Sequence, residues 1–346
     1  MHNQNTISIA KIDDTDEIMK FIDNEWKKGH ILGISKDYFL YEYKNKDHLN
    51  FVISKNQANK INGILGFIKS SSDDNATVWT TMWKVSKSSG SPMLGVDILN
   101  FLRRQGFKTV MSLGINLKTE EIYNYLGFNV GVLDHYFILN QKINEYKISI
   151  IPDRFLNNHI SPFKDENLFF SKLKFKDLEE SFDFNKYNFR IPYKDLNYFK
   201  HRYFEHPIYH YDVYGLYNDT KLLAMVVVRI SQYIESTCMR IVDFYGEEHI
   251  LDSMVANLME VMYLDNHEYI DFFSLGLNEA TIFKAGFLKI NYNEGDVVIP
   301  NYFEPFVQKN ITIRYFTDSQ SFENLRIYKA DGDQDRPTFI NKSNFL

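Results

Sequence analysis

The residues whose types and spacing are best suited to chemistry lie in one stretch of the first half of the chain, residues 78–128. A strand-like run at 78–85 is followed by a turn of small residues, Ser-Lys-Ser-Ser-Gly-Ser-Pro-Met-Leu-Gly at 86–95, and by an amphipathic helical pattern at 96–104. Glycine and serine let backbone N–H groups face outward, and Pro92 fits a first helical turn because it needs no N–H there. A turn of this kind at a helix N-terminus binds anions, and its chemistry suits a pyrophosphate.

The whole chain is acidic, so an anion site at this turn depends on local positive charge. Lysine plus arginine number 39 and aspartate plus glutamate number 45, which gives a net charge of −6. Four basic residues near the turn in sequence are predicted to supply the charge: Lys84, Lys87, Arg103 and Arg104. The alternative is a surface loop that only caps the helix, because the turn has neither a Gly-Lys-Ser/Thr P-loop nor a Gly-x-Gly-x-x-Gly pattern.

The continuation of this stretch carries a second pattern. A short apolar run ends Ser-Leu-Gly-Ile-Asn at 112–116, and the following helix contains Tyr123 and ends Gly-Phe at 127–128. This order of a strand, a small-residue turn, a helix, a strand with a terminal Asn, and a helix ending Tyr-x-x-x-Gly-Phe resembles the GNAT acetyltransferase superfamily. The turn departs from that family's Arg/Gln-x-x-Gly-x-Gly/Ala loop. Two registers fit it, one with Gly90 as the first glycine and one with Gly95 as the last.

The resemblance implies roles for residues of this stretch. Backbone amides of the turn would hold the pyrophosphate of coenzyme A, at Lys87, Ser88, Ser89, Gly90, Ser91 and Gly95; the strand edge that would pair with the pantetheine arm is Trp83, Lys84 and Val85. Tyr123 would protonate the departing thiolate, since a phenol has a pKa of about 10 and a thiol one of about 8.5. Asn116 would anchor a bulge after the fifth strand. Packing of Tyr123 on the sheet, and a plain turn role for Asn116, are the alternatives.

The same order of strand, turn and helix signals recurs in the second half of the chain. A hairpin pattern at 49–68 recurs at 211–230, and the sequence at 112–116 recurs as Ser-Leu-Gly-Leu-Asn at 274–278. We therefore predict an α/β protein of two tandem GNAT-like domains, each a mixed, mostly antiparallel sheet flanked by helices. The predicted limits are 1–145 for a domain with the acyl-CoA site, 146–330 for a second domain that binds the acceptor or is structural, and 331–346 for a polar tail. Two unrelated mixed domains are the alternative.

The second copy differs where the first would bind its ligand. Glu247 and Glu248 stand at the start of its helix, where carboxylates repel a pyrophosphate, and Ile282 occupies the position of Tyr123. We therefore expect the second copy not to bind coenzyme A. One chain with two GNAT-like copies, of which one keeps the loop, also resembles the Fem-type peptidoglycan aminoacyltransferases.

Further candidates are polar and aromatic side chains outside the turn. The run at 201–211 mixes imidazoles, a guanidinium and aromatic rings, which can bind phosphate or stack on a sugar or base; its candidate acceptor-binding residues are Arg202, Tyr209 and His210. The strand at 78–85 contains no acid to serve as general base, so the candidates for that role are Asp134, His135 and His206. A structural role for the run is the alternative, and the sequence does not choose the base.

Composition excludes several classes of protein. At 346 residues, 44% hydrophobic and 24% charged, the chain is predicted to be globular rather than disordered. Its acidic balance argues against nucleic acid and anionic membranes as partners, and no apolar run approaches the length of a membrane span. Cys238 is the single cysteine, no signal peptide is recognisable, and the His and Asp spacings fit no metal site. We expect a cytoplasmic protein without a metal.

These expectations combine into one hypothesis about function. The two-domain layout, aromatic-rich second half and acidic-polar tail resemble acetyltransferases of bacterial surface-polysaccharide gene clusters, which implies an acyl-CoA-dependent N-acyltransferase. The co-substrate would be acetyl-CoA or another acyl-CoA, and the acceptor an amino sugar, free or linked to a nucleotide. Fem-like aminoacyl transfer and a catalytically inactive GNAT-like scaffold are the alternatives. The sequence does not indicate the oligomeric state.

Overall fold

A computed structural model of the chain describes residues 5–156, 161–293 and 295–339. They form two compact units. Within the described ranges, the residues of unit 1 come from Met1–Val130, Tyr315–Ser319 and Gly332–Leu346, and those of unit 2 from Gly131–Arg314 and Gln320–Asp331. Among the described residues, none of the helices has the length and apolar character needed to cross a membrane.

Strands and helices alternate along the chain. The strands are β1 (Thr6–Lys11), β2 (Lys44–Asn45), β3 (His48–Lys55), β4 (Ile61–Lys69), β5 (Thr77–Val85), β6 (Thr109–Leu113), β7 (Asn129–Val132), β8 (Asp134–Leu139), β9 (Phe169–Lys172), β10 (Asp212–Asn218), β11 (Lys221–Tyr233), β12 (Ser236–Gly246), β13 (Tyr269–Leu275), β14 (Leu288–Lys289), β15 (Tyr302–Phe303), β16 (Phe306–Val307), β17 (Arg314–Thr317) and β18 (Ile327–Tyr328). The α-helices are α1 (Thr15–Phe21), α2 (Ile31–Ile34), α3 (Lys36–Tyr43), α4 (Leu94–Arg103), α5 (Leu117–Tyr125), α6 (Phe175–Ser181), α7 (Leu196–Phe199), α8 (Leu251–Leu264) and α9 (Glu279–Lys284).

Unit 1 is built on a mixed sheet in the order β1-β3-β4-β5-β6-β17-β7, with β2 paired to β3. β5 and β6 run parallel, while β1, β3, β4 and β5 form an antiparallel series. Helices cover both faces. Val52 packs in one cluster with Ile98 and Leu102 of α4, whereas the neighbouring Phe51 stacks on Phe39 of α3. Because successive strand side chains point to opposite faces, α3 and α4 lie on opposite sides of the sheet.

Unit 2 repeats this plan. Its sheet has the order β14-β8-β13-β12-β11-β10-β9, with β18 paired to β13, and β12 and β13 run parallel. Met254 and Leu258 of α8 pack with Ile241 of β12 on one face. The adjacent Val242 belongs to a second cluster, with Phe199 and other aromatic residues, on the other face. The predicted fold class, mixed sheets flanked by helices, is confirmed.

Each sheet contains a strand from a distant part of the chain. β17 lies between β6 and β7 in the sheet of unit 1, and β8 lies between β13 and β14 in that of unit 2. The domain limits of 1–145 and 146–330 would instead keep β8 with the first copy. Of the predicted tail, residues 332–339 pack in unit 1, and residues 340–346 lie outside the described residues. Local sequence patterns carry no signal for pairing between such distant strands.

Candidate functional site

The feature that makes unit 1 a candidate site is the place where two parallel strands part. β5 pairs with β6 from Thr77 to Thr80, and the last partners are Thr80 and Ser112. β5 then continues to Val85, paired with β4 on its other side. Residues 81–85 therefore have, within the described ranges, a strand edge with no partner on the side of β6. We call this opening the β5–β6 gap.

A bulge in β5 marks the beginning of the gap. Leu65 of β4 faces Trp83 and Phe67 faces Thr80, so two residues of β5 stand opposite Gly66. A Cβ on Gly66 would lie 2.5 Å from the hydroxyl oxygen of Thr81, which shows how closely the bulged strand approaches. A bulge bends the strand and disrupts its pairing, so it helps β5 to turn away from β6.

The turn after β5 uses some of its amides internally. Lys87–Ser89 forms a 3₁₀ turn, and Gly90 has a φ of +66°, which a glycine adopts without strain. The amide of Ser89 donates to the carbonyl oxygen of Ser86 at 3.0 Å, and that of Ser88 donates to the Ser86 hydroxyl at 3.4 Å. The amide of Ser91 makes a long bond of 3.5 Å to the hydroxyl of Ser89. These three amides are therefore partly or fully engaged.

Other amides of the turn and of the first helical turn point to no acceptor in the part of the chain that the structure describes. They are those of Lys87, Gly90, Met93, Gly95 and Val96. The residue Lys87 is also exposed. The N-terminus of α4 carries a partial positive charge, so a ligand with an oxyanion would be favoured there. The turn is thus able to accept an anion through a subset of the predicted amides.

Gly95 also has a packing role that the sequence did not indicate. The indole of Trp83 donates to the carbonyl oxygen of Gly95 at 3.1 Å, and a Cβ on Gly95 would lie 3.2 Å from the indole ring. Trp83 therefore lies across the start of α4. Lys84 and Val85, the other predicted edge residues, are half-buried on β5.

Arg103 and Arg104 do not contribute charge at the turn. They stand at the C-terminal end of α4, a helix of 10 residues that rises about 1.5 Å per residue. The guanidinium of Arg103 lies 4.7 Å from the ring centre of Phe128 and pairs with Asp318. The expectation that both arginines assist the turn is wrong, because a helix separates them from it.

Tyr123 is a core residue of unit 1 with its hydroxyl close to α5. It is 4% exposed, and its ring centre lies 4.0 Å from that of Phe316 and 5.7 Å from that of Trp83. Burial raises the pKa of the phenol, and the nearby side chain of Thr119 opposes this rise. Tyr123 therefore stays protonated at working pH and contacts a residue of the β5 edge, which is compatible with both packing and proton donation.

Asn116 caps α5. Its side-chain oxygen accepts from the amide of Thr119 at 3.1 Å. Asn278 in unit 2 caps α9 in the same way, accepting from the amide of Thr281 at 3.3 Å and also from that of Ala280 at 2.9 Å. The repeated Ser-Leu-Gly-x-Asn sequence thus encodes a strand-to-helix turn in each unit.

The corresponding opening in unit 2 is filled by the chain itself. Pairing of β12 with β13 ends at Ile241 and Phe272; beyond this point β18 pairs with β13, and the amide of Ala330 donates to the carbonyl oxygen of Val242 at 2.9 Å. Ahead of α8, Glu248 accepts from Arg326 at 2.6 Å and from Arg190 at 3.0 Å. A carboxylate of the chain thus occupies the place where an anion would be expected.

The candidate bases and acceptor-binding residues lie in unit 2. His135 is 1% exposed and bonds to Asp271 at 3.1 Å, and burial lowers the pKa of its imidazole. Asp134, half-buried, pairs with Lys289 at 3.0 Å. His206 accepts from the amide of Tyr209 at 2.8 Å. These partners give each of the three a structural role within unit 2.

The run that was predicted to recognise the acceptor is partly buried. Arg202 is 5% exposed and donates to the carbonyl oxygen of Ala330 at 3.2 Å. His210 is exposed and pairs with Asp212, and the guanidinium of Arg229 lies 4.3 Å from the ring centre of Tyr209. Of this run, Tyr209 and His210 are more accessible than Arg202.

Sequence reasoning missed one polar cluster next to the gap. Thr81, Tyr43, Asp333 and Arg336 are joined by hydrogen bonds in unit 1. Asp333 and Arg336 come from the predicted polar tail, yet their side chains are only 12% and 7% exposed. No local pattern indicates this packing.

No protein-family model matches the chain, and no curated protein sequence is significantly similar to it. Solved structures are similar. A GCN5-related N-acetyltransferase from Anabaena variabilis ATCC 29413 has a TM-score of 0.57 at 9% identity, with 91% of this chain and 72% of that one covered. A probable N-acyltransferase from Enterococcus faecalis V583 has a TM-score of 0.54 at 7% identity, over 92% and 73% of the two chains.

A third similar structure is a GCN5-related N-acetyltransferase from Kribbella flavida, with a TM-score of 0.51 at 8% identity over 91% of this chain and 71% of that one. At such low identities a structural likeness demonstrates a shared architecture and not a shared substrate. The chain has the fold of the GCN5-related N-acetyltransferases.

Proposed function

We propose that unit 1 is an acyl-CoA-dependent N-acyltransferase, with acetyl-CoA as the first co-substrate to test. The observation that carries the proposal is the β5–β6 gap, which opens next to a turn with free amides at Gly90, Gly95 and Val96. An unpaired strand edge can bond to an extended ligand as a further strand would, and amides at a helix N-terminus can donate to a pyrophosphate. The shared fold supports the same conclusion.

The residues of the gap have separate tasks in this proposal. The edge of β5 from Trp83 to Val85 holds the pantetheine arm, and the turn from Lys87 to Gly95 holds the pyrophosphate. Acyl-CoA supplies an activated thioester, whose carbonyl carbon is attacked by the neutral amine of the acceptor. A strand amide stabilises the oxyanion, the proton lost by the attacking nitrogen passes to water, and Tyr123 protonates the departing thiolate and is then reprotonated from water.

For the acceptor we propose an amino sugar, free or linked to a nucleotide, used in cytoplasmic steps of surface-polysaccharide biosynthesis. Its support is the sequence resemblance described above. Turnover of a panel of free and nucleotide-linked amino sugars, followed by thiol release, tests this choice. Absence of turnover with every member of the panel contradicts it.

Calorimetry with acetyl-CoA tests the cofactor site directly. Gly90→Val places a β-branched residue at a φ of +66° in the turn and is expected to abolish binding. Gly106→Val is the matched control, because Gly106 also has a positive φ, +87°, and lies beyond the other end of α4. A Cβ added at Gly106 would have no atom of the described residues within 4 Å. Equal loss of binding in both variants would show that strain, and not the turn, is responsible.

The alternative is a GNAT-like scaffold without activity, and one observation favours it: the amides of Ser88 and Ser89 are already bonded within the turn. No binding at millimolar acetyl-CoA would support the scaffold. Fem-like aminoacyl transfer requires an aminoacyl-tRNA donor, and the net charge of −6 counts against a tRNA ligand.

A further inference from the structure

The side chain of Gln334 lies at the end of β6, next to the β5–β6 gap. Its Nε2 donates to the carbonyl oxygen of Leu113, the last residue of β6, at 3.3 Å. A Cβ on Gly114 would have the nitrogen, carbon and oxygen of this carboxamide as its three nearest atoms. Gly114, whose φ is +81°, therefore leaves the space in which the carboxamide lies. All three residues belong to unit 1.

The carbonyl group of Leu113 points toward β5, into the gap. On the other side of β6, the carbonyl oxygen of Val110 accepts from the amide of Asp318, directly after β17, at 3.2 Å. Successive carbonyl groups of a strand point to alternate sides, so the carbonyl group of Leu113 points away from β17. Pairing of β6 with β5 ends at Ser112, one residue earlier. The carboxamide of Gln334 therefore binds in the gap itself, at a carbonyl group that the partner strand has left.

The neighbours of the carboxamide fix its orientation. The nitrogen lies 3.3 Å from the carbonyl oxygen of Leu113 and 3.4 Å from a carboxylate oxygen of Asp333, and both of these oxygens are acceptors. The nitrogen of Gln334 must therefore face them, because an amide oxygen there would have nothing to accept. Its Oε1 then has no donor among the residues that the structure describes, and Gln334 is partly exposed. The result is an unused hydrogen-bond acceptor at the gap.

The segment that carries this carboxamide runs over the face of the sheet opposite to α4. Val78 packs in the cluster that includes α4, so the adjacent Trp79 points to the other face, where a Cβ on Gly332 would lie 3.5 Å from that of Trp79. Arg336 donates to the hydroxyl of Tyr43, at the end of α3, at 3.1 Å. A ligand held by the turn before α4 enters the gap from the α4 face. The face with the carboxamide is therefore left for the acceptor.

We propose that Gln334 binds the acceptor, and that its Oε1 accepts a hydrogen bond from an N–H of the attacking amine. The inference rests on the proposed function, because that function places the thioester in the gap. A neutral amine that gives one hydrogen to Oε1 keeps its lone pair for the carbonyl carbon. The hydrogen bond strengthens as the C–N bond forms, since the nitrogen then carries positive charge, and the proton is afterwards lost to water. Asp333 and Arg336, whose side chains are paired at 2.9 Å, are positioning residues for this segment.

Two analogues of acetyl-CoA test this contact without turnover and without a known acceptor. Carboxamidomethyl-CoA carries –CH₂–CO–NH₂ on its sulfur, and acetonyl-CoA carries –CH₂–CO–CH₃. The two have nearly the same shape, and only the first has an N–H next to the carbonyl carbon, where the attacking nitrogen would lie. Calorimetry gives the ratio of their affinities. Gln334→Met keeps the length of the side chain and removes the acceptor, so this ratio is expected to fall about 3- to 10-fold, the contribution of one hydrogen bond.

Two further variants separate the contact from a general effect on unit 1. Gln105→Met is the matched control, because Gln105 also donates to a main-chain carbonyl oxygen, that of Phe101 at 2.9 Å, and lies beyond the C-terminal end of α4. It is expected to leave the ratio unchanged. Gly114→Ala displaces the carboxamide and keeps Gln334, so it is expected to lower the ratio as Gln334→Met does. The affinity for acetonyl-CoA, which has no N–H to donate, is expected to stay within about two-fold in all three variants.

Failure of the inference is distinguishable from failure of the proposed function. If the unmodified protein binds neither acetyl-CoA nor the two analogues, the proposed function falls and the inference falls with it. If the unmodified protein binds them and the ratio is the same in Gln334→Met, the role of Gln334 alone is overturned. An equal loss of affinity for both analogues in Gln334→Met assigns the side chain to packing and likewise contradicts the inference.

Discussion

The carbonyl oxygen of Leu325 lies against the Cα of Gly276, in the space that a Cβ would occupy. Gly276 has a φ of +96°, a conformation that residues with side chains rarely adopt. At the matching position of the first copy, Gly114 has a φ of +81° and faces the side-chain amide of Gln334. Both positions have a positive φ that favours glycine. A side chain at Gly276 would collide with the main chain of Leu325, whereas one at Gly114 would collide with the end of the Gln334 side chain, which can move.

This difference predicts unequal effects of the same substitution. Gly114→Ala is expected to cost about 1–2 kcal/mol in free energy of unfolding, because a left-handed conformation strains an L-residue and Gln334 can move aside. Gly276→Ala is expected to cost about 2 kcal/mol more, since relief requires displacement of the main chain leading into β18. Urea unfolding of the two variants measures the difference. Equal losses would contradict the close packing of Leu325 on Gly276.

Local patterns were sufficient to predict part of this structure. The turn and cap at Gly114 and Asn116 recur at Gly276 and Asn278, because strand-to-helix turns are encoded by adjacent residues. Mixed sheets flanked by helices were predicted on the same basis, since hydrophobic periodicity is local.

What the sequence could not indicate depends on contacts between distant residues. The positions of β8 and β17 in their sheets follow from which unpaired edge each strand completes, and this is a tertiary property. The bond between Arg336 and Tyr43 joins residues 293 positions apart. The β5–β6 gap also could not be predicted from local sequence. Pairing ends at Thr80 and Ser112, next to a bulge opposite Gly66, and no local pattern of residue types marks this point.

Substitutions of Asn116 can distinguish its role as the cap of α5 from a role in catalysis. Asn116→Ala is expected to lower the free energy of unfolding by about 1 kcal/mol, and Asn278→Ala by a similar amount, because each removes one acceptor for a helix N-terminal amide. Asn116→Ser keeps a capping oxygen and is expected to restore stability. If Asn116 also anchors the site, the kcat of Asn116→Ser is expected to be lower than that of the unmodified protein although its stability is normal. A normal kcat in Asn116→Ser would show that Asn116 acts only as a helix cap. Thermal unfolding and initial rates provide both readouts.

Tyr123→Phe tests the proposed general acid. The ring remains packed against Phe316 and Trp83, so stability is expected to change little, whereas kcat falls about 100-fold if the phenol protonates the thiolate. Calorimetric affinity for acetyl-CoA is expected to stay the same, because the proton is needed after binding. An unaffected kcat would remove Tyr123 from the acid role and leave it as a core residue.

His30 makes the stability of unit 1 depend on pH. It is 3% exposed, its Nδ1 accepts from the amide of Leu32 at 3.2 Å, and burial together with the charges of Arg336 and Lys27 lowers its pKa from 6.5 to about 3. Below pH 6.5 the unfolded chain binds a proton at this position that the folded chain does not, so stability is lost as the pH falls from 6.5 toward 3. The loss at pH 5 is expected to be about 2 kcal/mol, at 1.36 kcal/mol for each pH unit below 6.5. His30→Asn keeps a capping acceptor that does not titrate, so its free energy of unfolding is expected to depend less on pH in this range. Urea unfolding at pH 7.5 and at pH 5 measures the dependence. If the free energy of unfolding falls as much in His30→Asn as in the unmodified protein, the assignment to His30 is contradicted.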